Sequence, residues 1–202
     1  SIRAENENVL DNTIFQITAK YVEIDGKPCV IEMVREFDDD FLAELGDDGR
    51  AMAELGDYYE KIYRDVLTGC YNRRFYEERL KNTVPHAGVA LLDVDDFKLY
   101  NDVYGHATGD QVLRVIVQEI RECLSPTDKL IRYGGDEFLI YCPDTEPGAF
   151  LDVLYDIRAR INNAKMEGFS GIGLSASIGA AYAENEPIGT VVERADGLLM
   201  YR

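Results

Sequence analysis

The sequence predicts an α+β fold in which helices pack on a central sheet rich in antiparallel strands. Apolar periodicity across residues 65–202 follows the order α-β-α-β-β-α-β-α, without the strict strand–helix alternation that a doubly wound sheet requires. Residues 132–138 place a Gly-Gly pair between two short β-forming runs, which is typical of a hairpin, and we expect Gly134 and Gly135 to supply the positive φ angles of a primed turn. An Asp-Gly pair at 25–26 predicts a second hairpin near the N-terminus.

Length and charge limit the functions open to this chain. Its 202 residues suffice for one ordinary domain plus an appendage. The formal net charge of −17 repels the phosphates of long nucleic acids and anionic lipid, so we expect no nucleic-acid partner and no membrane contact. A small nucleotide can still bind where divalent metal neutralises its phosphates together with the site acids.

The cysteines and hydropathy predict a cellular location. Four cysteines without a CxxC pair indicate reduced thiols, and the chain has no long apolar run, so we expect a cytoplasmic protein. The chain starts and stops abruptly, which indicates a piece cut from something longer. The parent protein could be membrane-tethered through the missing segments.

Residues 1–37 carry the N-terminal hairpin, with strands expected at 14–24 and 29–35. A lone hairpin is marginal in water, so a larger sheet or another chain is expected to pair with it. The turn, the second strand and the acidic segment Phe-Asp-Asp-Asp at 37–40 resemble the last strands of a PAS sensor domain. This interpretation makes residues 1–37 a partial PAS-like sensor fragment, and an arbitrary hairpin is the alternative.

Residues 38–64 change to helical spacing and predict a signalling linker. Apolar residues recur here every three or four positions at Met52, Leu55, Tyr59 and Ile62, and the spacing continues to Val66 just beyond the linker. Both a coiled coil and a helix packed on its own domain fit this spacing. A helical rod between a sensor fragment and the next domain would suit a dimerising signal relay.

Residues 65–202 form the second predicted domain. Asn72 is expected to cap a helix that ends near residue 81, and residues 88–92 are a near-continuous apolar run typical of a buried central strand. Residues 105–110 are expected to form a loop. The elements after this loop are an amphipathic helix, the 132–138 hairpin, a helix at 148–163, a strand at 174–182 and a helix at 190–201.

Three carboxylates are predicted to meet at one edge of this sheet. Asp93 follows the buried strand, and Asp136 and Glu137 lie at the hairpin tip, so the three converge if the two strands are neighbours. Hard oxygen ligands suit Mg²⁺ or Mn²⁺, particularly when substrate phosphates complete the shell. Lys98 and the backbone amides near Phe97 could receive those phosphates. The alternative is a plain hairpin turn with solvated acids.

Four motifs of this domain resemble those of the GGDEF domain, the diguanylate cyclase family. They lie at residues 65–74 (Asp-x-Leu-Thr-Gly-x-x-Asn-Arg-Arg), 93–110, 132–138 (Arg-Tyr-Gly-Gly-Asp-Glu-Phe) and 175–179. Four motifs in the right order over the entire domain argue against chance similarity. The resemblance implies a nucleotidyl cyclase or palm-like fold with a ferredoxin-like core. It also implies an enzyme that condenses two GTP into the bacterial second messenger cyclic di-GMP, with release of two pyrophosphates.

The resemblance further implies the roles of the acidic residues. Asp93, the Val94 carbonyl and Asp136 would hold the metal ions, with Glu137 as a further ligand. Asp136 or Glu137 would help to deprotonate the 3′-hydroxyl of GTP. Catalysis would require a homodimer, because each domain supplies half of the reacting pair.

The same resemblance places the nucleotide. Lys98 with the amides near Phe97 would bind the triphosphate, and Asn101 and Asp110 would read the guanine edge. A carboxylate accepts from the N1 and N2 hydrogens of guanine, whereas adenine has no such donor pair, so we expect GTP rather than ATP. Each of these two residues also has a structural alternative, since Asp110 could cap the next helix and Asn101 could stabilise a turn. Asp95 is expected to be structural, and Arg132 either braces the hairpin or faces phosphate.

The sequence departs from the family pattern at two places. Cyclases with product inhibition carry Arg-x-x-Asp before the signature hairpin, but residues 125–128 read Ser-Pro-Thr-Asp, so we expect a degenerate primary inhibition site. The family's last helix continues into a lysine that contacts phosphates, whereas this chain stops at Arg202, so we expect a domain truncated at its C-terminus. The alternative function is a catalytically silent domain that binds GTP or serves in dimerisation and signalling.

Overall fold

The computed structural model describes residues 14–24, 27–37, 61–166 and 173–199. The chain divides into two units, Ser1–Tyr58 and Tyr59–Arg202. In the first unit, strands β1 (Ile14–Ile24) and β2 (Lys27–Phe37) form an antiparallel pair that runs from Ile24 opposite Lys27 to Ile14 opposite Phe37. The antiparallel strand pair predicted near the N-terminus is therefore confirmed, and its predicted turn at 25–26 lies outside the described residues. The PAS resemblance stays a prediction. Of the predicted linker at 38–64, the structure describes only residues 61–64, of which 61–63 are helical. Val66, the last residue of the predicted helical spacing, lies in a turn, so the helix ends before it.

The second unit is an α+β domain. Its elements in chain order are β3 (Tyr71–Asn72), α1 (Arg73–Phe75), a π-helical turn (Tyr76–Leu80), β4 (His86–Val94), α2 (Phe97–Tyr104), α3 (His106–Arg121), β5 (Lys129–Arg132), β6 (Glu137–Pro143), α4 (Pro147–Asn163), β7 (Ala176–Glu184) and α5 (Ile188–Leu199). The five strands form one sheet in the order β3-β5-β6-β4-β7, in which only β3 and β5 run parallel. The predicted fold class, an antiparallel-rich sheet flanked by helices, is confirmed.

Strand β4 is a buried interior strand of the sheet, and its two faces contact two separate hydrophobic cores. Ala90 and Leu92 face the core that α3 and α4 cover, whereas Val89 and Leu91 face the core of the π-helical turn and α5. Burying one such leucine stabilises the fold by about 1.5–3 kcal/mol. Gly88 carries no side chain because a Cβ there would overlap the ring of Phe150. The apolar run at 88–92 is thus a central strand, as predicted.

The turn between α2 and α3 differs from the prediction. Residues 105–110 do not form a loop: Gly105 alone separates the helices, and α3 begins at His106. Gly105 has a φ of 84°, a conformation in which glycine has no steric penalty, so one residue suffices for the change of direction. The Thr108 amide donates to the Gly105 carbonyl at 3.0 Å, and the Thr108 hydroxyl donates to the Tyr104 carbonyl at 2.9 Å.

Candidate functional site

The end of β4 and the signature hairpin meet at one edge of the sheet. Asp93 lies directly opposite Glu137 in the β4–β6 pairing, and the Val94 amide donates to the Asp136 carbonyl at 3.2 Å. All three carboxylate residues are partly exposed, so a ligand can reach them. The structure therefore brings together Asp93, Asp136 and Glu137, as the sequence predicts for neighbouring strands.

Crowding of negative charge changes the acidity of Glu137. Burial is the largest factor that raises the pKa of Glu137, and the charges of Asp93, Asp136 and Asp196 raise it further, while Arg73 opposes them. A cation at this edge would relieve that repulsion. Asp196, on α5, was not identified from the sequence, because nothing in its local pattern indicates that α5 packs beside the hairpin tip.

The two signature glycines do not act through positive φ angles. Neither Gly134 nor Gly135 has a φ in the left-handed region, so the expectation of a primed turn is wrong. The Tyr133 and Gly134 amides instead donate to the Glu137 carbonyl at 2.8 and 3.1 Å and close the turn. A Cβ on Gly134 would overlap the Glu137 carboxylate, whereas a Cβ on Gly135 would meet open space. Gly134 therefore leaves room for the Glu137 carboxylate in the position that it occupies.

Arg132 braces the hairpin tip, which decides between the two roles expected for it. Its guanidinium donates to the Gly135 carbonyl at 3.1 and 2.7 Å and forms an ion pair with Asp65 at 3.1 Å. Burial alone would raise the pKa of Asp65, but hydrogen bonds from the Thr68 hydroxyl and amide, together with the Arg132 charge, hold that pKa below its usual value. The turn at the start of the domain is thus tied to the signature hairpin. Asp65 belongs to the first of the four motifs, but no local pattern in the sequence indicates this contact.

Helices α2 and α3 carry the predicted nucleotide-binding residues. Phe97 and Lys98 lie in the first turn of α2, where backbone amides have no acceptor within the helix, and Lys98 is exposed. Asn101 lies against Gly109, because a Cβ on Gly109 would overlap the Asn101 side-chain oxygen. Asn101 and Asp110 therefore lie at the same crossing of α2 and α3.

The structure also tests the structural alternatives for these polar residues. Gly105 precedes α3 as its N-cap and Asp110 is the fifth residue of the helix, so the interpretation of Asp110 as a helix cap is wrong. Asp95 accepts a hydrogen bond from the Ser177 hydroxyl at 2.7 Å, and its amide donates to the Ser175 carbonyl at 3.0 Å. These bonds tie β7 to the segment after β4, so Asp95 has the structural role expected of it.

The donor set at the sheet edge suits a hard divalent cation. Carboxylates and a backbone carbonyl are the ligands that Mg²⁺ and Mn²⁺ prefer, and the mutual repulsion at Glu137 is what a bound cation would offset. Across residues 61–166 and 173–199, no group of three or more His, Cys, Asp or Glu side chains is arranged to hold a metal ion by itself. Phosphate oxygens of a bound nucleotide would have to supply the remaining ligands.

In the segment before β5, residues 125–128, Asp128 forms two hydrogen bonds with Ser125. The Asp128 carboxylate accepts from the Ser125 amide at 2.7 Å, and the Asp128 amide donates to the Ser125 carbonyl at 3.1 Å. Burial is the main cause that raises the pKa of the Cys142 thiol to about 12, and the neighbouring Asp128 raises it further. A groove of about 320 Å³ opens here, lined among others by Arg64, Arg121, Ser125 and Asp128.

Fold and site together define an α+β domain of nucleotidyl cyclase type. The chain belongs to the GGDEF family: the family model described as "Diguanylate cyclase, GGDEF domain" matches residues 62–201. The predicted family membership is thereby confirmed.

Curated relatives agree with this family. The chain is 37% identical over 147 residues to diguanylate cyclase DosC of Escherichia coli. This alignment covers 66% of this chain and 32% of DosC. It is 37% identical over 157 residues to diguanylate cyclase DgcP of Pseudomonas aeruginosa, in an alignment that covers 73% of this chain and 23% of DgcP. The chain thus spans about a third or less of the length of these two relatives.

Solved structures show the same fold. Diguanylate cyclase SiaD of Pseudomonas aeruginosa, in complex with its activator SiaC, matches at 32% identity and a TM-score of 0.66, over 80% of this chain and 66% of SiaD. The GGDEF domain of DgcB from Caulobacter crescentus, in complex with c-di-GMP, matches at 30% identity and a TM-score of 0.62, over 68% of this chain and 85% of that chain.

No helix within the described parts of the chain has the length and apolarity needed to cross a bilayer.

Proposed function

We propose that this protein is a diguanylate cyclase that condenses two GTP molecules into cyclic di-GMP and releases two pyrophosphates. The observation that carries the proposal is the convergence of Asp93, Asp136 and Glu137 where β4 and β6 pair. Membership of the GGDEF family supports the same reaction.

The acids act on the attacking hydroxyl. Asp136 or Glu137 accepts the proton of the 3′-hydroxyl, the freed oxygen attacks the α-phosphorus of the second GTP, and the bond to the β-phosphate breaks as pyrophosphate leaves. Mg²⁺ or Mn²⁺ held by Asp93, the Val94 carbonyl, Asp136 and Glu137 would polarise the hydroxyl and neutralise the leaving pyrophosphate. Arg132 keeps the tip in place through its bonds to the Gly135 carbonyl.

The two helices beside the sheet edge select and hold the nucleotide. Lys98 binds the triphosphate as a point charge, and the first-turn amides near Phe97 bind it as backbone hydrogen-bond donors. Asn101 and Asp110 contact the guanine edge, and their common position at the crossing of α2 and α3 supports a joint role. The Asp110 carboxylate accepts from the N1 and N2 hydrogens of guanine, and it would lack these donors if ATP were bound, so GTP is preferred.

Each domain supplies half of the reacting pair, so the active species is a homodimer in which two loaded sites face one another. Residues 1–37, as part of a sensor, and residues 38–64, as a helical linker, would regulate how often those sites meet. Residues 65–202 would form the catalytic domain in a cytoplasmic setting.

Product analysis tests this function. The protein is incubated with GTP and Mg²⁺, and the product is identified by chromatography and mass spectrometry. Cyclic di-GMP should form with GTP but not with ATP, and Asp136→Ala should abolish it. Asp152→Ala, at an exposed acid on α4, is the matched control and should retain activity. A full-length protein that remains inactive with its linker artificially dimerised would refute the proposal in favour of a catalytically silent domain.

A further inference from the structure

Helix α2 turns an apolar pair away from its own domain. None of its side chains is buried, and Leu99 and Val103 expose 56% and 58% of their surface. Residues four positions apart lie on the same face of a helix, so the two side chains are neighbours. The other side of α2 faces the domain, where the Tyr100 hydroxyl donates to the Gly173 carbonyl at 2.7 Å. Leu99 and Val103 therefore form a small exposed apolar surface.

This surface borders the proposed active site. Lys98 and Asp102 form the adjacent row of the same helix, and Lys98 is the residue proposed to bind the triphosphate. A partner domain that faces a triphosphate held at Lys98 would therefore lie beside Leu99 and Val103. Leu151 and Tyr155 on α4 are a similarly exposed pair, at 49% and 67%, but α4 carries none of the proposed site residues.

We propose that Leu99 and Val103 are the contact by which a second copy of this chain docks over the half-site. The inference rests on the proposed function, because condensation of two nucleotides held on separate domains requires a second copy at this place. Each copy carries a formal charge of −17, so two copies repel one another, and apolar contact beside the reacting groups offsets part of that repulsion.

The size of the surface fits an encounter rather than a permanent dimer. Two side chains per copy fall far short of the roughly 800 Å² per partner that a stable interface buries. A weak contact of this kind forms when both domains hold nucleotide and separates to release the product. Regulation can then act on how often the two domains meet.

A matched pair of double variants tests the inference on the 202-residue chain. Leu99→Ser with Val103→Ser removes the proposed contact, and Leu151→Ser with Tyr155→Ser removes an equally exposed pair elsewhere. Three quantities are measured for each variant. They are the rate of cyclic di-GMP formation against protein concentration, the affinity for a non-hydrolysable GTP analogue with Mg²⁺, and analogue-dependent association by sedimentation.

The α2 variant should lose about tenfold or more in rate at low protein concentration, as expected for apolar anchors near the centre of a contact. Its analogue affinity and thermal midpoint should equal those of the unmodified chain, and its association should be lost. The α4 variant should behave as the unmodified chain in all three measurements.

Several results would overturn the inference. Unchanged rate and association in the α2 variant would show that the surface is not a contact. Loss of analogue affinity would place the pair in the nucleotide site, and a lower thermal midpoint would indicate that the chain's own residues cover it. If the unmodified chain makes no product, the proposed function fails by itself. Sedimentation with the analogue then still decides the inference, which an unmodified chain that does not associate would refute.

Discussion

Replacing Arg132 with Met should loosen the signature hairpin and destabilise the domain. Arg132 makes two hydrogen bonds to the Gly135 carbonyl, at 3.1 and 2.7 Å, and pairs with Asp65 at 3.1 Å. The Arg132 and Asp65 side chains are only 18% and 21% exposed, so water compensates poorly for their loss. Hydrogen bonds to charged groups contribute about 1.5–3 kcal/mol each, but bonds that share one guanidinium are not additive. We expect a loss of about 2–3 kcal/mol, because Met retains the apolar stem while all these bonds disappear.

Thermal unfolding at neutral pH measures this loss. For a domain of this size, 2–3 kcal/mol lowers the midpoint by about 5–10 °C. Arg160→Met is the matched control: its ion pair with Glu119 has a similar distance of 3.1 Å, but the Arg160 side chain is 44% exposed. An exposed pair contributes about 0–1 kcal/mol, so the control should shift the midpoint by only a few degrees. Equal shifts in the two variants would show that Arg132 does not brace the hairpin.

Two further predictions concern Asp65 and the crossing of α2 and α3. The pKa of Asp65 lies below its ordinary value of 3.8, so its ionised form stabilises the fold above that pH, and the contribution is lost as pH falls through the folded-state pKa. Asp65→Asn should therefore destabilise the domain at pH 7, and the difference from the unmodified protein, followed by chemical denaturation, should shrink below about pH 4; a constant difference would argue against this ion pair. Gly109→Ala should leave thermal stability equal or higher, because Ala favours a helix by about 1 kcal/mol, while its Cβ displaces Asn101 and weakens GTP binding. Unchanged GTP affinity by calorimetry would remove Asn101 from the proposed guanine site.

Elements with a strong apolar pattern were predictable from the sequence, and those set by distant contacts were not. The run at 88–92 identified β4, and the β-forming runs around the signature glycines identified β5 and β6. The two-residue strand β3 has no periodicity of its own and exists because Tyr71 and Asn72 pair with β5. Helix α2 was missed because it is only eight residues long: Phe97 and Tyr100 pack against the core, but two inward residues are too short a pattern to indicate a helix.

In the candidate site too, features set by a local sequence pattern could be predicted, and those set by distant contacts could not. Convergence of Asp93 with Glu137 could be predicted, because it requires only that β4 and β6 be neighbours. The reason for a glycine at position 134 could not be predicted, since it depends on where the Glu137 carboxylate lies in three dimensions rather than on a φ angle. Gly109 looked like a loop residue for a similar reason: the sequence does not reveal that another helix crosses within contact distance. Glycine marks both close contacts and sharp turns, and only the tertiary structure separates them.

The segment before β5 leads to a last prediction, that cyclic di-GMP binds weakly where related cyclases are inhibited by their product. Arginine recognises guanine with two parallel hydrogen bonds, and Ser125 stands in its place. Asp128, the acid of the Arg-x-x-Asp pair, already has other contacts. Its carboxylate accepts from the Ser125 amide at 2.7 Å and lies against the buried Cys142 thiol. Calorimetry should detect no tight binding of cyclic di-GMP to the unmodified chain, and Ser125→Arg should introduce it. Tight binding that Asp128→Asn abolishes would show instead that Asp128 is free to bind ligand and that the inhibition site works without its arginine.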